Sequence, residues 1–171
     1  MRAWTLIAAL LVTAGLLQPT SSVAADAINP FEIKEWKVPY GGRSRDPDAQ
    51  NANTVWFVGQ SGGYLAKLDV TTSKFTRRDI DDRAGPHNVI VADDGIIWYS
   101  GNLQGYIGRY DPRADKIERI PMANSDADDP HTLVFDKDQK HIWFTVQGGN
   151  FVGRLTVASR KVDLVQVPTS S

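Results

Sequence analysis

Val55-Trp56-Phe57-Val58, Ile97-Trp98-Tyr99-Ser100 and Ile142-Trp143-Phe144-Thr145 are three copies of one stretch, set 42 and 45 residues apart in a chain of 171. Repeats of this length are units that cannot bury their apolar faces alone and do so by stacking on their neighbours. A second shared element follows each tryptophan: Gly63-Tyr64-Leu65-Ala66-Lys67-Leu68, Gly105-Tyr106-Ile107-Gly108-Arg109-Tyr110 and Asn150-Phe151-Val152-Gly153-Arg154-Leu155. Inside each copy apolar and polar residues alternate with a period of two, the signature of β-strands.

The middle copy shows the unit most fully. His87 to Ala92 reads as a first strand, Asp93-Asp94-Gly95 as a hairpin turn, Ile96 to Ser100 as a second strand, Gly105 to Tyr110 as a third, and Lys116 to Ile120 as a fourth after the turn Asp111 to Asp115. Four short antiparallel strands in about 42 residues make one blade of a β-propeller. The chain is therefore expected to be all-β, with about three four-stranded blades over residues 40–80, 85–122 and 129–168 and almost no helix. In the first copy Gln50-Asn51-Ala52-Asn53 stands where the turn of the second has Asp-Gly. The tryptophans, in mid-strand at equivalent places, are expected to pack between blades rather than touch a ligand. The Ala66-Lys67, Gly108-Arg109 and Gly153-Arg154 pairs read as architectural, the small residue letting sheets approach and the cation reaching an acidic turn residue such as Asp111.

The first 25 residues are laid out as a secretory signal peptide: Arg2, an apolar run from Ala3 to Leu17, then small residues at Val23-Ala24-Ala25. The run is shorter than the roughly 20 residues a membrane span requires, and none other follows. Residues 26–171 are thus expected to be exported, to the periplasm or the medium if the source is bacterial, with no membrane attachment after cleavage. There is no cysteine, hence no disulfide. A net charge of −1 supplies no electrostatic footprint for nucleic acid. The acidic groups Asp79, Asp81, Asp82 and Asp126, Asp128, Asp129 lack the ligand spacing of a calcium loop and read as solvated turns. Nucleophile elbows, phosphate-binding glycine loops, zinc spacings and Cys-His pairs are all missing from the sequence.

Counting back from each tryptophan aligns Arg45, His87 and His131 at the opening of the innermost strand, near one mouth of a propeller channel. A second column, Gln60, Asn102 and Gln147, falls four residues after each tryptophan, in loops at the same end. Together they would offer imidazole, guanidinium and amide groups to a polar or anionic small molecule. The other reading of the same residues is structural: Pro-His closes the strand and the amides satisfy loop carbonyls. His141, out of register, is expected in an exposed hairpin turn.

Gly85-Pro86-His87-Asn88, Asp129-Pro130-His131-Thr132-Leu133, Trp143-Phe144-Thr145, Ile107-Gly108-Arg109-Tyr110-Asp111-Pro112 and the Val-Pro pairs at Val38-Pro39 and Val167-Pro168 resemble the virginiamycin B lyase (streptogramin lyase) family, in its N-terminal part. The resemblance covers nearly all the chain after Phe31. It implies a seven-bladed propeller, of which this chain has residues for about three, so that it is a truncated product or fragment, or closes its ring by self-association. A strand around Glu35-Trp36-Lys37-Val38 would in that family complete the last blade. The family's activity is a Mg²⁺-assisted elimination that opens a cyclic depsipeptide antibiotic across its ester and so confers resistance. It needs a base for the proton α to a carbonyl and an electrophile for the enolate. His87 and His131 match its Pro-His type of position and are the candidate catalytic residues, with Arg45, Gln60, Asn102 and Gln147 as candidate ligand contacts. The family's glutamate has no counterpart, since Gly59, Gly101 and Val146 follow the tryptophan strands. The alternative is a non-catalytic propeller that binds a polar small molecule or glycan.

Overall fold

Tyrosine and phenylalanine face small residues across neighbouring strands throughout this molecule, and that pairing explains much of its regularity. The computed structural model describes residues 33–168; the expected signal peptide lies outside them. The first sheet comprises β1 (Ser44–Asn51), β2 (Thr54–Gly59), β3 (Tyr64–Asp69) and β4 (Lys74–Asp79). The second comprises β5 (Pro86–Val91), β6 (Ile97–Gly101), β7 (Tyr106–Asp111) and β8 (Lys116–Pro121), and the third β9 (Pro130–Phe135), β10 (His141–Val146), β11 (Phe151–Thr156) and β12 (Val162–Gln166). Every sheet is an antiparallel meander in sequence order, and the first strands β1, β5 and β9 lie next to one another. A single 3₁₀ turn, Ser125–Ala127, is the only helical element among the described residues. The expected all-β blade architecture is thus present as an open array of three blades.

Phe57 faces Ala66, Tyr99 faces Gly108 and Phe144 faces Gly153 across adjacent strands. A Cβ on Gly108 would stand 2.0 Å from the Tyr99 ring, and one on Gly153 2.1 Å from Phe144. The small residue therefore makes room for a ring of its own sheet, which corrects the reading that it serves the approach of adjacent sheets. Gly63, Gly105 and Asn150, each just ahead of the third strand, hold the left-handed conformation at φ 60°, 65° and 58°. Asn is the non-glycine residue most at ease there, which is why Asn150 can stand in the glycine's place. At the opposite end, side chains close the hairpins: Asp94 Oδ1 accepts from Ile96 N at 3.0 Å, and Asn51 Oδ1 from Asn53 N at 2.9 Å, substituting for the missing Asp-Gly turn.

Alternation gives each blade two apolar faces. Trp56, Val58 and Leu65 pack with Ile97, Tyr99 and Tyr110 to join the first and second sheets. Trp98 and Ile107 pack with Ile142, Phe144 and Leu155 to join the second and third. Trp56 and Trp98 lie in the interior, while Trp143 remains 40% exposed. Arg109 reaches Asp111 at 3.9 Å, as its position suggested, but Lys67 lies over the Trp56 ring instead. Trp36–Val38 form no strand: Trp36 Nε1 donates to Ser73 Oγ, and Val38 packs with Tyr40 against the first sheet. A strand needs a neighbour to take its backbone bonds, and the last blade that this segment would complete in the resembled family is not among the described sheets. His141 also differs from expectation. It is half-buried and opens β10, with Nδ1 2.6 Å from Asp136 Oδ2 and its amide donating to Asp136 Oδ1, so it closes a hairpin.

Candidate functional site

Each innermost strand opens with a bulge. Asp46 and Pro47 together oppose the single residue Phe57, His87 and Asn88 oppose Ser100, and His131 and Thr132 oppose Thr145. A bulge at a sheet rim bends the strand and re-aims its side chains. The strands are stitched by side chains that accept from the next blade's backbone: Asp48 Oδ2 from Val91 N at 2.7 Å, and Asn88 Oδ1 from Leu133 N at 2.8 Å. These bonds hold the three bulges side by side.

Arg45, His87 and His131 come together as a result. The His87 and His131 rings stack with centroids 3.6 Å apart and planes tilted by 38°. On the other side of His87, Asp46 Oδ2 lies 3.3 Å from Nδ1. At that distance the carboxylate favours a proton on the ring, but the contact falls outside hydrogen-bond geometry and the buried Nδ1 has no other partner. Arg45 Nε stands 4.0 Å from Asp46 Oδ1, and Arg45 Nη1 donates to Gln60 Oε1 at 3.4 Å. His131 Nδ1 is paired with Thr132 Oγ1 at 3.0 Å. Burial above all, then the neighbouring His131 and Arg45, push His87 below the ordinary histidine value, and Asp46 opposes them only in part. His87 is 4% exposed. It is therefore a neutral, buried imidazole with one free ring nitrogen, between a carboxylate and a second imidazole.

Asp46 was not legible as a site residue. Its φ of 27° is costly for a residue with a side chain, by about 1–3 kcal/mol, and such strain gathers at functional positions. The signal was an acidic residue just past the column: Ser44-Arg45-Asp46 stands where the other repeats read Pro86-His87-Asn88 and Pro130-His131-Thr132. The amide column divides. Gln60 joins the cluster through Arg45. Asn102 is buried and donates through Nδ2 to Pro130 O at 3.1 Å, so it supports the start of β9 instead of facing a ligand. Gln147 is exposed, with its backbone amide 3.4 Å from Asp129 O. The acidic groups are engaged in turns and ion pairs: Asp81 Oδ2 with Arg119 at 3.0 Å, and Asp126 N with the Asn124 side chain.

The cluster does not fit magnesium. Mg²⁺ takes six oxygens in a near-ideal octahedron, whereas here one carboxylate stands beside a guanidinium and the remaining donors are two stacked imidazoles. Among the described residues no three His, Asp or Glu side chains converge on a metal position.

Fold and site together define an open section of a β-propeller with a polar cluster at one end of its innermost strands. No family model and no curated protein matches the chain. Solved structures do match it. A streptogramin B lyase superposes over 80% of this chain and 45% of its own, with a TM-score of 0.71 and 20% identity. A catalytically inactive virginiamycin B lyase from Staphylococcus aureus with quinupristin covers 83% of this chain and 47% of its own, at a TM-score of 0.73 and 19% identity. Hydrazine synthase of Kuenenia stuttgartiensis also matches, over 82% of this chain, at a TM-score of 0.66 and 15% identity. The chain spans less than half the length of each of these structures. The expected likeness to streptogramin lyase propellers is present at the level of fold, and the fold is shared with a protein of different chemistry.

Proposed function

We propose that this chain is part of an exported, streptogramin-lyase-like propeller that binds a polar, carbonyl-bearing small molecule at the Arg45–His87–His131 cluster. The observation that carries the reading is the neutral, buried His87 with an unpartnered Nδ1 beside Asp46 and Arg45. A neutral imidazole can accept a proton, a neighbouring carboxylate stabilises the imidazolium that forms, and a guanidinium favours negative charge developing on a carbonyl oxygen. Those are the demands of removing a proton α to a carbonyl. An elimination that opens a cyclic depsipeptide, the activity of the lyases whose fold this chain shares, is the reaction of that kind we favour. Mg²⁺ assistance is not part of the proposal, because the residues present do not suit the ion. Export rests on the layout of residues 1–25, and the protein is expected to act in the periplasm or the medium without a nucleic-acid or membrane partner.

The test uses a streptogramin B antibiotic with the wild type, His87→Ala and His131→Ala, following binding by calorimetry and products by liquid chromatography coupled to mass spectrometry, which separates a ring-opened isomer from unreacted substrate. Elimination leaves the product at the substrate's mass, whereas hydrolysis adds one water. Binding lost in both variants, with an unchanged product mass in the wild type, supports the lyase reading. Binding lost in the variants without any turnover in the wild type identifies a non-catalytic binding propeller. Binding indifferent to both substitutions refutes the assignment of the cluster.

A further inference from the structure

One contact is made twice inside this molecule. The back face of the first sheet sends Trp56 against the front of the second, where its ring meets Tyr110 edge-on with centroids 6.1 Å apart. The back of the second sends Trp98, 1% exposed, into the cluster shared with the third. The receiving row is in register in both cases: Ile97, Tyr110 and Ile117 in the second sheet, and Ile142, Leu155 and Val162 in the third. The first sheet carries the same row as Val55, Leu68 and Phe75. There it borders an open cavity of about 250 Å³, lined also by Phe57 and walled on the far side by Trp36 and Val38. At the other end of the array, the back of the third sheet exposes Trp143 by 40%, Val134 by 57%, Val152 by 38% and Val165 by 67%. Arg154, over the Trp143 ring, and its partner Asp163 share this face, and so many exposed apolar side chains around one ion pair mark an interaction surface.

We propose that the Trp143 face of one chain docks in the Val55–Leu68–Phe75 cavity of a second copy, repeating between molecules the front-to-back contact that the chain makes twice within itself. The occupant is inferred from continuity with those interior contacts: the face carries the next tryptophan of the series and the cavity is the next seat. Because the two surfaces differ, the contact is heterologous, and two copies that each use both surfaces close into a two-fold pair. An indole that fills a desolvated pocket is the usual anchor of an interface.

The experiment is light scattering coupled to size exclusion on the full chain over a range of concentrations, with circular dichroism to confirm folding. The expected wild-type mass is twice the 18.9 kDa of one chain. Trp143→Glu removes the anchor and Phe75→Glu spoils the seat; each is expected to weaken the pair by at least about 30-fold. Trp143→Glu keeps an intact seat and Phe75→Glu keeps an intact anchor, so an equimolar mixture is expected to recover a two-chain complex through one good junction. A wild type monomeric at every concentration overturns the proposal, as does association that survives Trp143→Glu. Failure of the mixture to recover the pair also overturns it, because a contact between two Trp143 faces would lack this complementation.

Discussion

Trp98 and Trp143 hold the same place in successive repeats and differ in what covers them, so replacing each by alanine isolates the worth of blade stacking. A covered tryptophan hides up to about 250 Å², roughly 6 kcal/mol at ~25 cal/mol/Å² before the retained methyl and any relaxation are discounted. Truncation of buried aromatic residues costs about 3–5 kcal/mol, and Trp98, 1% exposed between two sheets, belongs in that range. Trp143 is 40% exposed and would leave a notch open to water instead of a cavity, so its transfer contribution falls to about 2–3 kcal/mol once the retained methyl is discounted. Its contact with Arg154, 5.9 Å from the ring centre, contributes about 0.5 kcal/mol more at such an exposed site. The assay is urea unfolding followed by circular dichroism, at a concentration where light scattering reports a monomer. With an m-value of about 2 kcal/mol/M, Trp98→Ala should lower the midpoint by about 2 M or more and Trp143→Ala by about 1–1.5 M. Equal losses in the monomer would refute the reasoning, since Trp143 would then be packed within its own chain.

Asn102→Ala should destabilise the protein by about 1–3 kcal/mol, because the Pro130 carbonyl loses its buried donor, while ligand affinity at the His87 cluster changes little; a large affinity loss with unchanged stability in urea would restore Asn102 to the ligand contacts. Gly108→Ala drives a methyl group into the Tyr99 ring and should cost about 1–3 kcal/mol in the same assay; no cost would mean that the ring moves aside freely, as Phe57 does for Ala66. His87 has a folded-state value below its ordinary 6.5, so the unfolded chain takes up a proton first as the pH falls. Its contribution to stability is therefore complete above about pH 6.5 and declines as the pH drops through that value toward the folded one. Thermal midpoints from pH 8 to 5 should show this slope in the wild type and a flatter profile in His87→Gln, and identical profiles would count against a buried neutral imidazole. Asp115, Asp136 and Asp163, held low chiefly by bonds to Arg78, to His141 and to Lys161 with Arg154, respectively, act in a separate window, losing stability only as the pH falls below about 3.8.

The strands were legible because their information is local. A period of two, a turn residue able to take positive φ, and a ring opposite a glycine are properties of a few neighbouring residues, and they recur at Gly63-Tyr64, Gly105-Tyr106 and Asn150-Phe151. The other elements depend on partners that alternation along a strand does not show. Trp36–Val38 was expected in a strand only where a last blade is present to take it, and among the described residues it forms none. His141 looks like a loop residue until Asp136, five positions earlier, takes both its amide and its ring nitrogen. The small residues of the third strands were rightly read as structural, yet their reason lay in the facing ring, which only the register reveals.

The candidate site was legible as a column and illegible as chemistry, and the difference follows from how blades meet. Repetition places Arg45, His87 and His131 at one register position, so counting from the tryptophans suffices to align them. What each residue can do depends on the blade beside it. His87 has neighbours on both sides, Asp46 from the first blade and His131 from the third, and burial between them holds it neutral with a ring nitrogen free. His131 has the same sequence context but, among the described residues, only one flanking blade, and its Nδ1 is already paired with Thr132. Asp46 enters only because the bulge in β1 inserts a residue that a count from Trp56 passes over. Identical repeats thus generate non-identical side-chain environments at their junctions, and it is the junction of the first and second blades, more than any motif within a blade, that sets the surroundings of His87.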